Sequence, residues 1–276
     1  MKIDLFIPCF IDQFNPQTGF NMVKVLEKAG CQVNYNIEQT CCGLPAFNAG
    51  QWNEARQVSE KLLNEITPDR NFVCAGSACT GMIRNSYDLL FQNSSYHNKF
   101  RQLQKRTFEL SEFLVDVLKV ETIGSKFSGK VVFMDTCTGL NGCGIKAQPR
   151  KLLEQIEGLE LVELPNQDEC CGFGGAFSVT NSNIAIHLGN KKLNAIKETG
   201  VQTVVSTDYS CLIHLKSIAE KQGVNLKFFA FGRYTSYWFV ALCFNHCKMV
   251  FTACSFTSCF PSKMLKAQLL FLNNCW

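Results

Sequence analysis

A cysteine, 31 intervening residues, an adjacent cysteine pair followed by glycine, and a last cysteine 36 residues beyond the pair: this order runs through Cys9, Cys41-Cys42-Gly43 and Cys79. It recurs at Cys137, Cys170-Cys171-Gly172 and Cys211, with intervals of 32 and 39 residues. Agreement at this scale marks an internal duplication, so the chain must fold as two copies of one unit. Adjacent cysteines are poorly suited to a disulfide, because closing a ring across one peptide bond strains the bridge. The pairs therefore call for another explanation.

Local patterns repeat with the cysteines. "KIDLFIPC" predicts a strand ending at Cys9, "TGFNMVKVLEKAG" a helix, and "CQVNYN" a strand leading into Cys41-Cys42-Gly43. A helix with Trp52, Ala55, Val58 and Leu62 follows, then a strand at "NFVCAG" and a helix beginning near Cys79. The second half offers strands at "KVVFMDTC", "LELVELP" and "TVVST", with helices at "PRKLLEQIEG", "NSNIAIHLGNKKLNAIKETG" and "CLIHLKSIAEKQG". Alternation of this kind predicts an α/β fold: two tandem pseudo-symmetric units, each a small, mostly parallel sheet flanked by helices. The expected boundaries are residues 1–91 and 129–227, joined by a helical connection over 92–128. Ligands of such sheets gather beyond the carboxyl ends of the strands, where every repeated cysteine falls.

The chain has 276 residues and is 46% hydrophobic, enough for a substantial core. Its start, "MKIDLFIPCF", lacks the long apolar region of a signal peptide, and no uninterrupted apolar run is long enough to span a bilayer. A cytoplasmic protein without a transmembrane segment is expected. In that compartment the 16 cysteines read as metal ligands or catalytic thiols, not as a disulfide framework. The net charge of +4 arises from residues 228–276, which hold four basic residues and no acidic one. The remainder is balanced, which leaves no distributed basic face for nucleic acid.

Each half thus offers four candidate ligands, Cys9, Cys41, Cys42 and Cys79, then Cys137, Cys170, Cys171 and Cys211. Soft thiolates select zinc, copper(I) or iron–sulfur clusters. Structural zinc usually takes a chelating pair spaced by two to four residues, whereas a cluster presents several irons that neighbouring side chains can share. Gly43 and Gly172 suit backbone passing close to such a group. Cys31, Cys74 and Cys143 have no counterparts and read as small core residues. "GFGG" at 172–175 lacks the lysine of a phosphate loop and reads as a tight turn. His214 lies one helical turn after Cys211, where a hydrogen-bonding partner is the ordinary role; it and Asp208 are the candidate catalytic residues.

These motifs resemble the cysteine-rich CCG domain found in heterodisulfide reductase, in the glycolate oxidase iron–sulfur subunit and in the membrane-anchoring subunit of anaerobic glycerol-3-phosphate dehydrogenase. "FIPCFIDQF", "TCCGLPAFNAG", "ELSEFLVDVL", "QPRKLL", "CCGFGGAFSV" and "STDYSCLIHL" carry the likeness, from Met1 to about Lys227. The resemblance implies an iron–sulfur electron-transfer subunit in a system oxidising L-lactate to pyruvate. Its implied partners are a ferredoxin-type iron–sulfur subunit and a third lactate-utilization protein; a heterodisulfide or thiol-disulfide reductase subunit is the alternative. In the CCG domain of heterodisulfide reductase the motif ends in Cys-x-x-Cys. Here Gly76 and Asp208 stand at the first position of that ending, which leaves four thiols per half for one or two clusters of the 4Fe-4S kind. Leu44 and "TGLNGCG" also depart from the family pattern. Residues 228–276, with nine phenylalanines and no persistent periodicity, are expected to lie outside the fold.

Overall fold

The computed structural model describes residues 1–122 and 124–233. The first half runs β1 (Lys2–Phe6), α1 (Cys9–Phe14), α2 (Pro16–Lys28), β2 (Gln32–Tyr35), α3 (Leu44–Asn48), α4 (Trp52–Glu65), β3 (Asn71–Cys74) and α5 (Ser77–Gly81). A π-helical turn at Met82–Ser86 continues α5 into α6 (Tyr87–Phe91), followed by α7 (His97–Arg106), β4 (Thr107–Glu109) and α8 (Leu110–Glu112). The second half runs β5 (Lys126–Phe133), α9 (Ala147–Glu154), β6 (Glu157–Glu163), α10 (Phe177–Thr180), α11 (Ser182–Glu198), β7 (Thr203–Ser206), α12 (Tyr209–Lys221) and β8 (Lys227–Ala230).

Two four-stranded sheets result, in the orders β2-β1-β3-β4 and β6-β5-β7-β8, with every pairing parallel. The fold is α/β, and its two sheets repeat one topology. Burial on both faces explains the apolar character of the central strands: all of "TVVS" in β7 is buried, as are Phe72, Val73 and Cys74 in β3. The edge strand β6 is more exposed and charged; Glu157 and Glu160 pair with Lys126 and Lys130 of β5. One apolar core joins the halves, bringing Ile3, Leu5 and Val73 together with Val131, Phe133 and Val205.

The sequence missed the fourth strand of each sheet. The expected connection over 92–128 contains β4, which pairs with β3, and the first residues of β5. At three residues, β4 is too short to show any periodicity. The segment expected to fall outside the fold enters it: Phe228, Phe229 and Ala230 pair with Val204, Val205 and Ser206. Residues 234–276, including Cys243 and Cys247, lie outside the described residues. Among the described residues no helix is long and apolar enough to cross a membrane.

Glu109 anchors the end of β4. Its buried carboxylate accepts the Ser111 N–H at 2.8 Å and the Ser111 hydroxyl, and forms a capping box with Glu112. Glu112 in turn pairs with Arg84 at 2.6 Å. Burial raises the Glu109 pKa from 4.5 to about 7 despite these bonds. Between those two values the unfolded chain ionises while the folded protein keeps its proton, so stability falls as pH rises. Glu109→Gln retains an acceptor and loses this titration. Denaturant unfolding of the variant should show it gaining on the native protein across that window, by on the order of 3 kcal/mol.

Candidate metal centre

Strand β1 ends three residues before Cys9 and β3 five before Cys79, while β2 leads through a short loop to Cys41-Cys42. Parallel pairing delivers these loops to one sheet edge, where the thiols meet in a chain: Cys9 hydrogen-bonds Cys41, Cys41 contacts Cys42, and Cys42 Sγ lies 3.3 Å from Cys79 Sγ. The second half repeats the chain as Cys137, Cys170, Cys171 and Cys211. Burial repeats too. Cys42, Cys79, Cys171 and Cys211 are buried, whereas Cys9, Cys41, Cys137 and Cys170 are half-buried.

Charge collects on the same thiol in each quartet. Hydrogen bonds from Cys42 and Cys9 hold Cys41 well below the ordinary thiol range. Those from Cys137 and Cys171 lower Cys170 to about 2. Their partners Cys9, Cys42, Cys137 and Cys171 are pushed up, because each gives its proton to the hydrogen bond and is further disfavoured as an anion by burial. Backbone N–H groups assist the two thiolates; Gly172 N lies 3.3 Å from Cys170 Sγ.

The glycine after each pair has a geometric reason. Gly43 and Gly172 have φ of 87° and 90°, in the left-handed region. A Cβ on Gly172 would stand 2.3 Å from the Ala185 carbonyl oxygen; on Gly43 it would stand 3.0 Å from that of Ala55 and 2.8 Å from Ser59 Oγ. Each loop thus turns back against the longer helix beyond the short one that follows it, α4 beyond α3 and α11 beyond α10.

Around this common plan the halves differ. In the first, the Tyr87 hydroxyl donates to the Cys42 carbonyl at 3.0 Å, while the Ser59 hydroxyl, 3.3 Å from that carbonyl, lies closer to the Ala55 carbonyl, at 2.7 Å. In the second, Lys192 is 2% exposed and donates to the carbonyls of Asn166 and Gln167 at 3.2 and 3.4 Å. Its charge helps hold Cys170 as thiolate, while burial lowers its own pKa. His214 donates from Nε2 to the Ala185 carbonyl at 3.3 Å, which ties α12 to α11, and burial lowers its pKa. Asp208 is buried as an N-cap. The two candidate catalytic residues are therefore both bonded to backbone. Of the cysteines read as core residues, Cys31 and Cys74 are buried, but Cys143 is half-buried and donates to the Ser77 carbonyl at 3.6 Å.

Tyr87, Ser59 and Lys192 escaped the sequence reading. Lys192 left a signal, since it interrupts the buried stripe of Ala185, Gly189, Leu193 and Ile196 on α11. Near the second quartet a cleft of about 570 Å³ is lined by Lys146, Arg150, Glu163 and Asp168 among others. Arg150 is taken up by Asp135 and Glu163, at 2.5 and 2.7 Å, so the cleft offers little net attraction for an anion.

The donor set suits a sulfur-bridged cluster. Among the described residues no group of three or more His, Cys, Asp or Glu is already arranged to hold a metal ion. Thr40 Oγ1, adjacent in sequence to Cys41, is buried without a hydrogen-bond partner and could donate to a sulfur-rich group.

The family described as the cysteine-rich domain, CCG, matches this chain twice, over residues 3–84 and 131–216. Lactate utilization protein A of Halalkalibacterium halodurans is 35% identical over 227 residues, 82% of this chain and 93% of the relative. Proteins of the same description from Geobacillus sp. (strain WCH70) and Bacillus subtilis are 35% and 33% identical over 228 residues, in each case 82% of this chain and 95% of the relative. A solved aspartate racemase homologue from Pyrococcus horikoshii aligns over 85% of this chain and 96% of its own at TM-score 0.28 and 15% identity, a likeness too slight to bear on fold or chemistry.

Alanine at the two glycines should separate strain from collision. Both variants incur the left-handed penalty, but only Gly172→Ala places its methyl far inside a backbone oxygen. Urea unfolding of the reduced protein should show a loss of roughly 2 kcal/mol or more for Gly172→Ala, with Gly43→Ala the milder of the two. Equal losses would refute this account of the loop.

Proposed function

The chain belongs to the cysteine-rich CCG-domain family, together with the lactate utilization A proteins it resembles, and we propose that it is an iron–sulfur electron-transfer subunit serving L-lactate oxidation. The observation that carries this reading is the pair of matching thiol chains, each bringing one cysteine, an adjacent pair and a later cysteine together at one sheet edge. Cys9, Cys41, Cys42 and Cys79 would hold one cluster, and Cys137, Cys170, Cys171 and Cys211 another. When bound, such a cluster accepts and releases one electron at a time.

The chain's own residues keep each site in order. Tyr87 holds the carbonyl of Cys42, the residue that contacts Cys79. Lys192 balances negative charge at the second quartet. Phe10 and Phe173, next in sequence to Cys9 and Gly172, meet edge to face at 5.5 Å and link the two halves beside the cysteine edges. A ferredoxin-type partner would exchange electrons at these edges. The alternative, a disulfide-reducing subunit, draws on the half-buried Cys170 thiolate; cluster binding would protect that thiol from alkylation.

Anaerobic reconstitution with iron and sulfide, followed by iron and sulfide assay and electron paramagnetic resonance, tests the proposal. The native protein should take up both elements, and Cys42→Ser or Cys171→Ser should each lose about half. Protein free of iron after reconstitution, with Cys170 freely alkylated, would overturn the cluster reading and favour the thiol alternative.

A further inference from the structure

Gly76 and Asp208 occupy equivalent places, three residues before Cys79 and Cys211. One has no side chain; the other has a carboxylate 3% exposed, at the junction of the two halves. Asp208 Oδ1 accepts the Ser210 N–H at 3.0 Å and the Ser210 hydroxyl at 2.5 Å, which caps its own helix α12. Oδ2 accepts the Ala78 N–H at 2.8 Å, in the first turn of α5 and 130 residues away. A helix start leaves N–H groups without intrahelical partners and favours negative charge. Two helix starts here share one anion.

The surroundings make this a junction and not a chance contact. Ser77, the first residue of α5, packs its hydroxyl 2.9 Å from Thr136 Oγ1, 3.3 Å from Thr138 Oγ1 and 3.4 Å from Thr207 Oγ1, all in the second half. Asn85 donates to the Gly142 carbonyl at 2.6 Å, further along the same helical run. None of these bonds reaches the Ala78 N–H. Cys79 is the next residue, and it closes the first thiol chain against Cys42.

We propose that Asp208 is a positioning residue shared by both quartets: one buried carboxylate holds the starts of α5 and α12 together, so the setting of Cys79 in the first half depends on a side chain of the second. The reach of the carboxylate is what matters. Serine at the same position would still cap α12 but is too short to serve α5. The inference concerns the thiols and their helices, so it stands whether or not the quartets hold iron.

The test uses the reduced full chain, comparing Asp208→Ser and Asp208→Ala with the native protein by amide hydrogen exchange and by site-resolved iodoacetamide alkylation. Asp208→Ser should speed exchange at Ala78 and alkylation at Cys79 by about tenfold, the scale of a lost cap, while exchange at Ser210 stays near native. Asp208→Ala should speed exchange at both helix starts, and Val73 and Val205 in the central strands should keep their protection in both variants. Should the alanine variant fail to fold, the serine variant decides alone. Native exchange at Ala78 and native alkylation at Cys79 in Asp208→Ser would overturn the proposal and reduce Asp208 to a cap of its own helix.

Discussion

Parallel pairing at the centre of each sheet is the constraint on which the cysteine edge depends. Because β1 and β3 run the same way, as do β5 and β7, their carboxyl ends lie side by side, and the loops that leave them must begin at one edge. Neighbouring strands diverge there toward β2 and β4, or β6 and β8, which opens the crevice typical of such sheets. Thiols more than thirty residues apart meet without any long-range search by side chains. The same edge then imposes the glycines, since a loop that presents two adjacent thiols inward folds its backbone against α4 or α11.

Bringing thiols into contact away from water sets their charge. A lone buried thiol stays protonated, as Cys74 does, pushed up by desolvation. In a chain of thiols, the member that receives two S–H bonds can ionise while its neighbours keep their protons. Cys41 and Cys170 hold that position, and nearby backbone N–H groups reinforce it.

Of the six strands that support these edges, the central ones were legible as short apolar runs and the polar β2 and charged β6 by the place the duplication gave them before the cysteine pairs. The fourth strands were not. Three residues of "TFE" inside a polar segment carry no period, and "KFFA" stands next to a stretch whose composition points away from any fold. The eight cysteines could be assembled into quartets from spacing alone, yet the function of Asp208 could not. Its second hydrogen bond depends on how the halves pack, and no local pattern encodes a partner 130 residues away. Lys192 was readable in principle, as a charge inside an apolar stripe, but what it faces is set by tertiary structure.

Duplication supplies two equal frames, and the later differences give them unequal electrostatics. The carbonyls of Ala55 and Ala185 play the same part beneath Gly43 and Gly172. Counting seven residues on from each places Leu62 opposite Lys192, both buried. The first quartet therefore sits among hydroxyls and apolar side chains, and the second beside a buried ammonium. Lys192 favours the Cys170 thiolate there, while Glu169, Asp135 and Asp168 face the same ammonium and offset part of its charge. Asp208 lies at the junction of these unequal halves, bonded to both, so the difference in charge is built into a pair of sites that share a mechanical support.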